Sequence, residues 1–99
     1  MKTITNKTVE LLGKDVTYAE LLRACNDVAP EKGWAVSEQK KALRVDTALD
    51  KSIDNRWNVI GDIELEDADF DYLKPKVTGM TWALKAQALV DFTEYIESL

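Results

Sequence analysis

The sequence predicts an α+β domain of about four helices with one small antiparallel sheet or hairpin. Three observations lead there. A complete helix-start signal stands at residues 16–21, apolar residues recur at helical spacing in four separate stretches, and residues 57–65 alternate in the manner of a half-buried strand. The chain has 99 residues, read as a single domain over 1–99, and is long enough to bury roughly 60–70% of its unfolded surface without a metal or disulfide. An apolar fraction of 45% and a charged fraction of 31% are those of an ordinary globular protein, which argues against disorder outside the first few residues.

Thr8-Val9-Glu10-Leu11-Leu12 reads as a short strand closed by a turn at Gly13-Lys14-Asp15. In Val16-Thr17-Tyr18-Ala19-Glu20-Leu21, the Thr17 hydroxyl can accept from the Glu20 amide while the Glu20 carboxylate reaches back to the Thr17 amide. Val16 and Leu21 supply the hydrophobic staple. A helix over Tyr18–Asp27 follows, with Leu21, Leu22, Cys25 and Val28 as its inward stripe.

A loop at 29–33 and a short strand at Trp34-Ala35-Val36 precede Ser37, a good N-cap for a second helix from Glu38 to about Lys51. Ala42, Val45, Leu49 and Ile53 form its buried stripe, with Lys40, Arg44 and Lys51 on another face. After a break at Asp54-Asn55-Arg56, Trp57, Val59, Ile63 and Leu65 alternate with Asn58, Asp62 and Glu64. Gly61-Asp62 is either a bulge or a hairpin turn, and the flanking Val59-Ile60 and Ile63 favour the hairpin.

A third helix opens near Asp67, with Phe70, Leu73, Val77, Met80 and Leu84 as its stripe. Pro75 removes the bond to the Asp71 carbonyl, which predicts a kink or two short helices, the second starting at Lys74-Pro75. The last helix spans Ala86–Glu97, with Leu89, Phe92, Thr93 and Ile96 inward.

Several chemistries are closed to this chain. Histidine is absent, which excludes imidazole acid–base catalysis, Ser-His and Cys-His nucleophiles and histidine metal sites. The four glycines are scattered, so no phosphate-cradling loop exists. The single cysteine, Cys25, excludes an internal disulfide and falls on an inward stripe. The reading is therefore of a non-enzymatic protein with no cofactor and no metal. No apolar run approaches a membrane span, and the opening Met1-Lys2-Thr3-Ile4-Thr5-Asn6 lacks the apolar stretch of a signal peptide, so a cytoplasmic protein is expected.

Two charged stretches suggest partners. Asp62, Glu64, Glu66, Asp67, Asp69 and Asp71 place six acids within ten residues, without a base among them. Asp67-x-Asp69-x-Asp71 matches the first half of a calcium loop, but Tyr72 stands where glycine is required and Thr78 where the bidentate glutamate belongs. The ordinary explanation is a solvated strand face followed by acids at a helix start, where the dipole favours them. The functional one is an acidic contact surface for a basic partner, with Trp82, which falls off the third helical stripe, as an aromatic anchor. Against it stands the second helix. Lys40, Lys41, Arg44 and Lys51, followed by a hairpin wing through Gly61, outline a winged-helix DNA-binding regulator. Glu38, Asp46 and Asp50 dilute that charge, the wing itself is acidic, and the chain carries a net charge of −5, all of which repel phosphate.

The stretch Gly33-Trp34-Ala35-Val36-Ser37-Glu38-Gln39-Lys40-Lys41 leads into Leu43-Arg44-Val45-Asp46-Thr47-Ala48-Leu49. Ile63-Glu64-Leu65-Glu66-Asp67-Ala68-Asp69-Phe70 then leads to Leu73-Lys74 and Met80-Thr81-Trp82. Together these resemble a group of small proteins encoded by tailed bacteriophages and prophages, a group without a settled activity. The resemblance implies a phage protein, located in the cytoplasm of the bacterial host or in the virion, with a protein partner from either. It would be a virion or assembly component or an inhibitor of a host factor. A homo-oligomeric structural piece is a third reading.

Overall fold

A computed structural model describes residues 1–56 and 58–99. Its elements are β1 (Lys2–Ile4), β2 (Thr8–Leu11), β3 (Lys14–Thr17), α1 (Tyr18–Asn26), α2 (Val36–Asp50), β4 (Ile63–Leu65), α3 (Asp67–Thr78) and α4 (Gln87–Glu97). The fold is α+β, as predicted, with four helices and two separate two-stranded antiparallel sheets.

The capping box forms as read. The Thr17 hydroxyl accepts from the Glu20 amide at 3.2 Å, and the Glu20 carboxylate accepts from the Thr17 amide at 3.0 Å. The segment expected to turn at Gly13-Lys14-Asp15 turns one residue earlier, so Lys14 and Asp15 belong to a strand. β2 and β3 pair from Thr8↔Thr17 to Leu11↔Lys14. Leu12 and Gly13 make the two-residue turn with φ of 52° and 81°. Both central residues of such a turn need positive φ, which matches the right-handed twist of the strands. Glycine accepts this freely and leucine does not.

The first residues are ordered rather than frayed. β1 pairs with β4 (Lys2↔Leu65, Thr3↔Glu64, Ile4↔Ile63), joining the two ends of the first two-thirds of the chain. Ile4, Ile63 and Leu65 point into the core while Thr3 and Glu64 face out. The hairpin through Gly61 does not form. Instead an isolated bridge joins Ile53 to Val59 across the 54–58 loop, and Gly61 is a bend leading to β4. The Asp54 carboxylate closes that loop by accepting from the Arg56 and Asn58 amides at 2.8 and 2.9 Å, bonds that hold its carboxyl below the usual range. Trp57, expected to begin a strand, lies outside the described residues.

Trp34-Ala35-Val36 is not a strand. Ala35 is the N-cap of α2, which begins at Val36, and Ser37 sits inside the first turn. The cap leaves the first turn without a side-chain acceptor, although Gln39 donates its carboxamide N–H to the Trp34 carbonyl. Ala42, Val45, Leu49 and Ile53 are buried, as the spacing required. Pro75 is accommodated within one continuous α3. It lies exposed in the last turns, and the carbonyl it leaves unbonded belongs to Asp71, which is itself exposed to water. Because α3 ends at Thr78, Met80, Trp82 and Leu84 lie in the connection to α4 rather than on a helical stripe.

The core gathers Ile4, Leu22, Val45, Leu49, Ile63, Leu73, Val77, Phe92 and Ile96. Tyr18 meets Phe92 edge-on at 5.0 Å between centroids. Buried Asn6 ties three elements together: its Nδ2 donates to the Ser52 carbonyl and its Oδ1 accepts from the Ala19 amide. Lys76 of α3 performs a similar task at the end of α1. Its ammonium donates to the carbonyl of Asn26, a group the helix C-terminus otherwise leaves unbonded, and to that of Val28 just beyond it.

Candidate functional site

Four of the six acids and two of the four bases of the rival charged stretches face each other across one groove. α2 and β4 run side by side, and between them lies a groove of about 430 Å³. Asp62, Glu64, Glu66 and Asp69 line one wall, Arg44 and Lys51 the other. Strand alternation sends Asp62, Glu64 and Glu66 to the same side, away from Ile63 and Leu65.

The six acids do not act alike. Asp69 is buried, and its Oδ1 accepts from Arg44 Nε at 3.1 Å and Nη2 at 2.9 Å. It occupies the third helical position of α3, where the dipole also favours a carboxylate. Asp67 is exposed and lies 3.0 Å from the amino group of Met1. The Asp62 carboxylate accepts from the Asn6 amide at 3.4 Å. Asp62, Glu64, Glu66 and Asp71 are exposed and carry no ion pair among the described residues. Asp67 and Asp71 sit one helical turn apart with Asp69 turned inward, so the three do not converge as a calcium loop would require.

The basic set is also divided. Arg44 is engaged by Asp69, and the Lys41 ammonium lies 5.7 Å from the Tyr72 ring centroid. Lys40 and Lys51 remain exposed. A winged-helix arrangement lacks its wing here, because residues 58–62 do not pair back as a hairpin and β4 is paired with β1.

Trp82 is separate from the acids. It is half-buried against the core rather than projecting, and lines a second groove of about 400 Å³ with Met80, Leu84, Leu89 and Val90, between the 79–86 connection and α4. The expected surface of acids plus Trp82 is thus two surfaces.

A third groove, about 410 Å³, was not anticipated. It opens between the end of α1 and α2, and its lining includes Asn26, Asp27, Trp34, Leu43 and Asp46. Trp34 is held there by the Lys76 ammonium, 4.8 Å from its ring centroid. Asn26 is fully buried, and its Nδ2 donates to the Ala42 carbonyl at 2.9 Å and to Asp46 Oδ1 at 3.0 Å. Asn26 follows Leu22 by one helical turn, so the inward stripe already pointed to it. Val28, placed on that stripe by spacing, lies beyond the helix end and is half-exposed.

Cys25 is buried between α1 and its neighbours, and that burial pushes its thiol up to about 12 despite the opposing charge of Lys76. A thiol so shielded is a packing group rather than a nucleophile.

No protein-family model, curated protein or solved structure matches the chain.

Proposed function

We propose that this chain is a phage protein that acts without catalysis, by presenting an acidic face to a basic protein partner from the virion or the host. The observation that carries the reading is the set of exposed, unpaired carboxylates Asp62, Glu64, Glu66 and Asp71 on one side of β4 and the start of α3. Two of the six acids are already engaged at their own positions, Asp69 by Arg44 and Asp67 by the Met1 amine. The other four make no ion pair among the described residues, and their mutual repulsion would be relieved by a cationic surface. Such a face speeds encounter with a basic partner and makes the association salt-dependent.

Immobilised protein incubated with lysate of phage-infected bacteria tests the reading. Capture of a basic protein that weakens as salt rises from about 0.05 to 0.5 M supports it. Sequence-specific retention of a DNA fragment with no protein capture would replace it with a regulatory role.

A further inference from the structure

We propose that the groove around Trp34 receives an arginine side chain of a protein partner. The inference rests on the reading of the chain as a contact protein but concerns a different surface from β4 and α3. Three observations carry it. The first is a buried acceptor. Asn26 is 1% exposed, its carboxamide orientation is fixed by the two acceptors of its Nδ2, and its Oδ1 has no hydrogen-bond partner among the described residues. A shielded carbonyl oxygen without a donor is costly, and an arriving N–H relieves it.

The second observation is charge. Asp46 and Asp27 line the same groove, and neither makes an ion pair among the described residues. The Lys76 ammonium already lies 4.8 Å from the Trp34 ring centroid, so two carboxylates against one ammonium leave the groove net negative and favour a further cation over an anion. The third is shape and polarity. Trp34 presents an aromatic surface, and Leu43, on the outer side of α2, is 60% exposed, so the groove offers apolar area beside its carboxylates.

Arginine satisfies all three at once. Its methylene stem packs on Leu43 and Trp34, and its planar fork donates to the Asp46 carboxylate while a further N–H turns to Asn26 Oδ1. Asp46 is half-exposed and is met first. Asn26 Oδ1 lies buried behind it, the one buried side-chain acceptor of the groove without a donor among the described residues. Lysine offers a compact ammonium that cannot stack and fork together.

The test is an NMR titration of the full ¹⁵N-labelled chain with the peptide acetyl-Gly-Arg-Gly-amide, alongside lysine and citrulline counterparts. Saturable shifts at the Trp34 indole N–H, the Asn26 carboxamide and the amides of residues 39–46 are expected with arginine. Binding of the other two peptides is expected to be at least about tenfold weaker. Asp46→Asn retains an acceptor for Asn26 Nδ2 while removing the charge, and it should weaken arginine binding at least about fivefold in a protein whose spectrum stays folded. Trp34→Leu should do the same. Equal binding of the citrulline peptide, indifference to Asp46→Asn, or shifts centred on β4 instead would overturn the proposal. Because the peptide titration does not involve capture by the β4 acids, either result stands apart from the partner-capture experiment.

Discussion

Breaking the Arg44–Asp69 pair should destabilise the protein while leaving the exposed carboxylates Asp62, Glu64, Glu66 and Asp71 in place. The magnitude follows from the asymmetry of the pair. The Asp69 side chain is 10% exposed, whereas that of Arg44 is 60% exposed. Removing one member of a fully buried pair costs about 3–5 kcal/mol, and fully exposed pairs are worth about 0–1 kcal/mol. A buried carboxylate held by two N–H donors from a solvated guanidinium falls between, and screening of the exposed partner brings the expected coupling to about 1–2 kcal/mol. Arg44→Met leaves the carboxylate without its cation and should cost ~2 kcal/mol. Asp69→Asn leaves a neutral acceptor at the start of α3 and should cost ~1 kcal/mol. The double variant should be less destabilised than the sum of the two. Urea denaturation of all four proteins at low salt gives the cycle directly. A coupling energy below ~0.3 kcal/mol would refute the argument that this pair is an architectural contact between α2 and α3.

Two further perturbations follow from local chemistry. Leu12→Asn should stabilise the protein by about 0.5–1 kcal/mol, because asparagine tolerates the left-handed conformation of the β2–β3 turn and the 82%-exposed leucine gives up no packing; an unchanged or lowered melting temperature would contradict this. Cys25 keeps its proton to about 12 when folded, against 9.0 for an unperturbed thiol, so its contribution is complete below pH 9 and is lost between about 9 and 12, at ~1.4 kcal/mol per pH unit. Tyr18, raised chiefly by burial and further by the Asp91 charge, acts in the same direction. Stability of Cys25→Ala should therefore decline less steeply above pH 9 than that of the natural protein, and parallel pH profiles would rule out the assignment.

Those elements whose signals are local were legible in the sequence. The capping box fixed the start of α1 because both of its hydrogen bonds lie within four residues. The inward stripes of α2 and α4 were legible because burial of one face dictates spacing. Pairing between distant segments was not. Nothing near Lys2–Ile4 announces that β4, about sixty residues later, is its partner, and without that knowledge Val59-Ile60 and Ile63 look like two halves of a hairpin. The start of α2 was misplaced because Ser37 is a good cap by type, while the backbone turns into the helix at Ala35 instead. The acidic run was visible as composition, but its division was not. That one acid turns inward to Arg44 depends on α2 lying against α3, a tertiary contact with no local trace. Trp82 was assigned by extending a helical stripe past Thr78, and the helix stops there.

The central claim is that the fold separates architectural charges from presented ones. The most direct measurement compares two variants in the same capture experiment with infected-cell lysate. Asp62→Lys/Glu64→Lys/Glu66→Lys reverses the presented charges, and Arg44→Met/Asp69→Asn removes the architectural pair. The account predicts that the first variant loses capture while staying folded, its unfolding free energy lowered by no more than about 1–2 kcal/mol, because Glu66 stands at the N-cap of α3 and Asp62 accepts from the Asn6 amide. It predicts that the second keeps capture and is less stable. Full capture by the charge-reversed variant, or loss of capture confined to the Arg44/Asp69 variant while it remains folded, would contradict it.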